Sequence, residues 1–185
     1  VCSSDLTTAG SIMITSSLDN TLSSATYLGP NGMMNKGHYL TEAIRFYYTA
    51  QRERADAMPV TVKTVLLCAQ IMRNRYGNYY SAKAQNLIRP LRDAYNEALA
   101  KFDLVVMPTT PMKAHRIPPA DADLPTIMGC ALDMIGNTCP FDATGHPSMS
   151  VPAGMSNGLP VGMMFTGRFG EDDVVLRAGH AFELL

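Results

Sequence analysis

The stretch from Asn137 to Gly162, NTCPFDATGHPSMSVPAGMSNGLPVG, constrains this chain more than any other. Pro140, Gly145, Pro147, Pro152, Gly154, Gly158, Pro160 and Gly162 fall where strands should begin or end. Two short apolar runs, Met149 to Pro152 and Val161 to Phe165, lie between and just beyond them. Proline cannot donate to a strand ladder, and glycine tolerates tight turns. The spacing therefore predicts a ledge of turns at the edge of a buried sheet, close to a pocket floor.

Composition narrows the functions such a sheet could serve. At 185 residues the chain can form one core-bearing domain or part of a larger one. Apolar residues make up 46% and charged residues 17%, which argues for a packed chain over a disordered one. A formal net charge of −1 argues against nucleic acid or an anionic membrane surface as partner. No window reaches the roughly 18 to 20 uninterrupted apolar residues of a membrane helix. No basic segment followed by an apolar run opens the chain, so a cytoplasmic location is expected. Cys2, Cys68, Cys130 and Cys139 contain no CxxC pair and read as reduced core or near-core thiols. His38, His115, His146 and His180 form no HxxxH pair, and no metal site is expected.

Along the chain, residues 1–31 read as irregular, with a turn at Gly29 to Gly32 and a short helix around Asp19 to Tyr27. The opening Val-Cys-Ser-Ser-Asp-Leu matches a translated sequencing adapter, so residues 1–6 are expected to be an artefact; the alternative is an ordinary polar segment. Residues 32–185 read as one body. A helix capped by Thr41 presents Ala43, Ile44, Tyr47, Tyr48 and Ala50 on one face. A second follows Pro59, carries Val62, Leu66, Ala69 and Ile71 or Met72 at helical spacing, and stops at Gly77. A third runs from Tyr79 to about Lys101 with Ala84, Leu87, Ile88, Leu91, Tyr95 and Ala98 inward, bent or divided by Pro90. Phe102 to Met107 reads as a buried strand, Leu124 to Met134 as a helix, Ser148 to Val151 and Val161 to Thr166 as strands. Glu171-Asp172-Asp173 starts a last helix. Interleaved strands and helices give the α/β class.

Several of these blocks together resemble the amidase signature family. They are Tyr80 to Leu87 (YSAKAQNL), Phe102 to Ala114 (FDLVVMPTTPMKA), Asn137 to Gly154, Gly158 to Gly162, and the ending RFGEDDVVLRAGHAFE. The likeness runs from about Gly32 to the end and is greatest to the aliphatic and aromatic acylamide amidases associated with nitrile hydratase. It implies the C-terminal part of the amidase signature fold, a mixed β-sheet covered by helices on both faces. It also implies Ser-nucleophile hydrolysis of a monocarboxylic amide to acid and ammonia by a Ser–Ser–Lys triad, with no metal or organic cofactor. The glycine-rich stretch that carries the two serines is absent from this sequence, and none of its lysines stands in the family's catalytic context. No catalytic residue is therefore carried over, and this stretch alone is expected to be inactive.

The resemblance offers Ile135, Asn137, Thr138 and Phe141 as substrate-binding residues. The plainer reading makes Ile135 and Phe141 core, with Asn137 tying off loop backbone. The amidase-like component of a glutamine-dependent amidotransferase is an alternative. Members of that kind place an acidic residue ten positions before the Gly, where this chain has Ile135, and an apolar side chain there cannot pair an ammonium unless Asp133 substitutes after a shift of register. A non-catalytic scaffold fragment is a further alternative. Asp142 is expected to fix a turn by accepting backbone N–H bonds, and His146 to be structural. Met155, Met163 and Met164, like Met33 and Met34, are expected to fill core gaps, and Lys83, Arg89 and Arg92 to form a solvated face. Tyr47, Tyr48, Tyr79 and Tyr80 fit packing within the domain, a cap over the pocket, or the contact of a homodimer of the complete enzyme. The expected partner is a small-molecule amide.

Overall fold

The computed structural model describes residues 37–185, which fall into two compact units: one holds residues 84–185, the other the described residues up to Lys83. The expected artefact at 1–6, the irregular segment and its short helix, Met33, Met34 and Cys2 lie outside the described residues.

The smaller unit is helical. Helix α1 spans Thr41–Glu53, a 3-10 turn Ala55–Ala57 follows, and α2 spans Val60–Tyr76. Thr41 does not cap α1: it is already helical, and Leu40 takes the cap position with no side-chain bond. Pro59 caps α2, and the helix ends at Gly77 with Arg73 and Arg75 in its last turn, where cations suit the dipole. Ala69 is buried, while Val62, Ile71 and Cys68 are exposed, so Cys68 is no core thiol. Tyr47, Tyr48, Tyr79 and Tyr80 are exposed too. The Tyr80 ring meets Tyr76 and Tyr79 edge-on at centroid distances of 5.0 and 5.1 Å, and Arg52 donates to the Tyr48 hydroxyl at 3.0 Å.

Helix α3, Tyr79–Leu99, starts in that unit and continues into the larger one. Ala84, Ile88, Tyr95 and Leu99 form its buried stripe, whereas Leu87 points outward. Pro90 lies inside the helix without dividing it. Pro90 and Asn86 are both exposed, so the carbonyl that the ring leaves unbonded faces water.

Strands β1 (Val105–Pro108), β2 (Ser148–Ser156) and β3 (Leu159–Thr166) form an antiparallel sheet in the order β1-β3-β2. In this sheet β1 is an edge strand with alternate residues exposed, not a buried one. Strands β2 and β3 are joined by the two residues Asn157-Gly158, with φ of 53° and 77°. Two positive φ values make this a type I′ turn, whose twist matches that of the strands it joins.

Side chains alternate along β3, and the two faces receive different helices. Met163 and Phe165 pack with Val151, Met149, Val175 and Phe182, so α6 (Asp172–Glu183) covers one face. Met164 packs with Tyr95, Phe141, Leu91 and Met107, so α3 and the short helix α5 (Cys139–Thr144) cover the other. The α/β architecture with helices on both faces thus stands, and the three described strands are antiparallel throughout. Between β1 and α5 lie α4 (Leu124–Leu132) and a 3-10 turn, Asp133–Ile135. Met164 is buried and Met163 half-buried, as expected for gap fillers, but Met155 is exposed beside the hairpin turn.

Arg168 fastens the ends of three elements. Its Nε donates to the Leu99 carbonyl at 2.8 Å and its Nη2 to the Phe102 carbonyl at 3.3 Å, while Nη1 donates to Glu171 at 3.1 Å.

Candidate functional site

Helix α5 shapes the site. Pro140 lies in its first turn and Gly145, with φ of 79°, follows its last residue, so the apparent run of turns is a six-residue helix. Arg92 on α3 donates from Nε to the Thr144 carbonyl at 2.9 Å and closes the end of α5. This residue of the expected solvated face is therefore engaged. Asn137, just before α5, is buried and donates from Nδ2 to the Pro108 carbonyl at 2.8 Å, tying the start of the helix to the end of β1.

His146 links α5 to β2. It is 5% exposed; Nδ1 lies 2.8 Å from the Thr144 hydroxyl and Nε2 3.2 Å from the Asn96 amide oxygen. An amide oxygen only accepts, so Nε2 carries the proton and Nδ1 accepts from Thr144. Burial, and then the nearby Arg92 charge, hold the imidazole pKa below its ordinary value and favour this neutral form. Rings of Tyr95 and Phe141 stand at centroid distances of 5.8 and 6.4 Å from it.

Between α5 and the sheet lies a cavity of about 290 Å³. Thr138, Phe141 and Asp142 reach it from α5 and the residue before it, Thr109 from the loop after β1, and Ser148, Met149, Ser150 and Met164 from the sheet, with His146 at the corner. Of the four residues singled out in the sequence, Thr138 and Phe141 line this cavity. Ile135 and Asn137 are not among its lining residues. Phe141 is also core, 4.9 Å from Tyr95 between ring centroids. Ile135 is half-buried, and its carbonyl receives the Thr138 N–H at 3.1 Å. Asp142 is exposed on α5 and does not serve as a turn-fixing acceptor.

Thr109, Ser148 and Ser150 come together only through strand pairing, so no linear motif announces them. Thr109 Oγ1 and Ser150 Oγ are 2.5 Å apart, and Ser148 Oγ and Thr166 Oγ1 are 2.8 Å apart. The first pair meets across β3 above Gly162, where a Cβ would lie 2.7 Å from Thr109 Oγ1 and 2.9 Å from Ser150 Oγ. Only glycine lets the two hydroxyls approach over that strand.

None of these groups is an activated nucleophile. Among the described residues the two cavity serines have hydroxyl partners and no base, both nitrogens of His146 are bonded, and no lysine lines the cavity. Burial, and secondarily Asp142, push the Cys139 thiol up to about 11. Among the described residues, no group of three His, Cys, Asp or Glu is placed to hold a metal ion, and no helix is long and apolar enough to cross a membrane.

A sheet with helices on both faces and a partly polar cavity beneath a short helix defines an α/β unit. The chain belongs to the amidase family, whose model, described as Amidase, matches residues 8–176. Over 154 residues it is 47% identical to an uncharacterized protein in the nthA 5′ region of Rhodococcus erythropolis, covering 83% of this chain and 77% of that one. Over 152 residues it is 41% identical to an enantioselective amidase of Rhodococcus rhodochrous, covering 82% of this chain but 29% of the relative. A bacterial aryl acylamidase of the amidase signature family superposes on 76% of this chain and 31% of its own, with a TM-score of 0.57 and 26% identity. The chain thus spans less than a third of the length of these two enzymes.

Proposed function

We propose that this chain forms the cavity-bearing part of an amidase that hydrolyses the C–N bond of a monocarboxylic amide, consuming water and releasing the acid and ammonia. The observation that carries this reading is the family match over residues 8–176, together with the cavity formed by the Asn137–Gly162 block. Thr138 and Phe141 bind the acyl part of the substrate, and Asn137 positions them by holding the start of α5 to β1. Among the described residues the cavity offers no activated nucleophile; in this reading the attacking serine and its base come from residues beyond those described, as the family resemblance implies.

The test compares ammonia release from isobutyramide by the complete enzyme and by residues 1–185 alone. Turnover by the complete enzyme and background rates for the shorter chain are expected. Turnover by the shorter chain that disappears in Ser150→Ala would overturn the division of labour and make a cavity serine the nucleophile.

A further inference from the structure

Thr166 is fully buried at the end of β3 and stands opposite Ser148 in the register of the two strands. Their hydroxyls lie 2.8 Å apart, and by distance alone either could donate. Burial decides between them. A buried hydroxyl proton without an acceptor is costly, whereas one on an exposed residue can reach water. Ser148 is exposed, and among the described residues it is the side chain that the Thr166 hydroxyl meets. Thr166 therefore donates and Ser148 accepts. The Ser148 proton is left for the cavity that this residue lines.

No other polar group described on the cavity wall is fixed as a free donor. Thr138 donates its hydroxyl proton to the Ile135 carbonyl at 3.3 Å. His146 directs its proton to Asn96 and accepts from Thr144. Thr109 and Ser150 hold one proton between oxygens 2.5 Å apart, and neither residue is buried enough to decide which oxygen keeps the other. The carboxylate of Asp142 only accepts. Ser148 and Ser150, two residues apart, share one face of β2, and Met164 lies beside Ser150 on β3. Phe141 adds a second apolar side chain from α5. At about 290 Å³ the cavity suits a small molecule. A short carbon chain interrupted by an accepting oxygen meets both the apolar side chains and the Ser148 proton.

We propose that Ser148 determines specificity: its hydroxyl donates to an ether or carbonyl oxygen on the acyl chain of the substrate, and Thr166 holds it in the donating state. That the reacting end of this substrate is an amide rests on the amidase reading.

Methoxyacetamide and butyramide differ by an ether oxygen in place of a methylene, and both are neutral. In the complete enzyme, Ser148→Ala should lower the methoxyacetamide-to-butyramide ratio of kcat/KM about threefold, the lower range for a neutral hydrogen bond that water can also reach. Ser148→Cys, close in size but a weak donor, should lower it as well. Ser148→Thr keeps a hydroxyl and should hold the wild-type ratio. A ratio unchanged in both Ser148→Ala and Ser148→Cys would overturn the proposal. So would a ratio in Ser148→Thr as low as in Ser148→Ala, which would make the effect one of shape. 1-Methoxy-2-propanone and 2-pentanone carry a methyl group in place of the amide nitrogen and cannot be hydrolysed, so their thermal protection of the enzyme separates binding from turnover. Greater protection of the wild type by the methoxy ketone, lost in Ser148→Ala, with neither amide hydrolysed, would keep the donor and remove the amidase reading. Hydrolysis of butyramide with an unchanged ratio in the variants would do the reverse.

Discussion

His146 makes the stability of the larger unit depend on pH. Its folded pKa lies below the unfolded value near 6.5, because burial and then Arg92 disfavour the imidazolium. Between the two values the unfolded chain binds the extra proton. The stabilisation is therefore complete above the unfolded value, declines as pH falls through it, and levels off below the folded pKa. The urea midpoint of the complete wild-type enzyme should fall between about pH 7.5 and about pH 5.5, and that of His146→Gln, which can accept from Thr144 and donate to Asn96, should fall less. Equal slopes would exclude His146 as the titrating group. In the sequence this histidine reads as structural, and the Gly145-His146-Pro147 context supports that much. Its partner Asn96 stands fifty residues away on α3, a pairing that only the packed chain provides. The same limit applies to the cavity. Thr138 and Phe141 are legible from the Pro/Gly-rich block, whereas Ser148, Ser150 and Thr109 depend on a register that periodicity leaves open.

The β2–β3 hairpin is where local chemistry most directly sets an element. Asn157 and Gly158 occupy both positions of a two-residue loop that requires positive φ. A Cβ in left-handed backbone costs roughly 1–2 kcal/mol, and β-branching makes it worse. Gly158→Val should therefore destabilise the complete enzyme by about 1–2 kcal/mol in urea denaturation. Wild-type stability would show that the loop can take another turn type. Asn-Gly between two apolar runs is a hairpin signal, and reading it as such extends the strands to Ser156 and Leu159, beyond the ends expected from apolar runs alone. Helix α5 is hard to see in the sequence for a related reason. Pro140 and Gly145 mark turns in isolation, but five residues apart they also start and stop a short helix. The longer helices α1, α2, α3 and α6 are legible because their apolar positions recur over several turns. Their faces are less so, since Leu87, Val62 and Ile71 share the period yet remain exposed.

At the scale of the whole molecule, large apolar side chains remain outside. Phe102 is 64% exposed beside β1, Phe46 76% exposed on α1, and Leu67 65% exposed on α2. Strand β1 also presents an unpaired edge among the described strands, with Val106 half-exposed along it. Edges and apolar patches of this kind associate unless something covers them. Residues 1–185 produced alone should elute as oligomers or aggregates in size-exclusion chromatography. A monomer that melts cooperatively would show that the chain is self-sufficient. Composition does not reveal this property, because a 46% apolar content is ordinary and what differs is where the apolar residues end up.

Positions 109, 150 and 162 cannot vary independently. The Thr109 N–H is bonded to the Gly162 carbonyl at 2.9 Å, and its hydroxyl and that of Ser150 occupy the space where a side chain at 162 would begin. A substitution at 162 therefore requires both hydroxyls to be lost or turned away, or the loop after β1 to be released from β3. Accepted changes at this corner of the cavity should arrive in company, in an order that clears both hydroxyls before it adds a side chain.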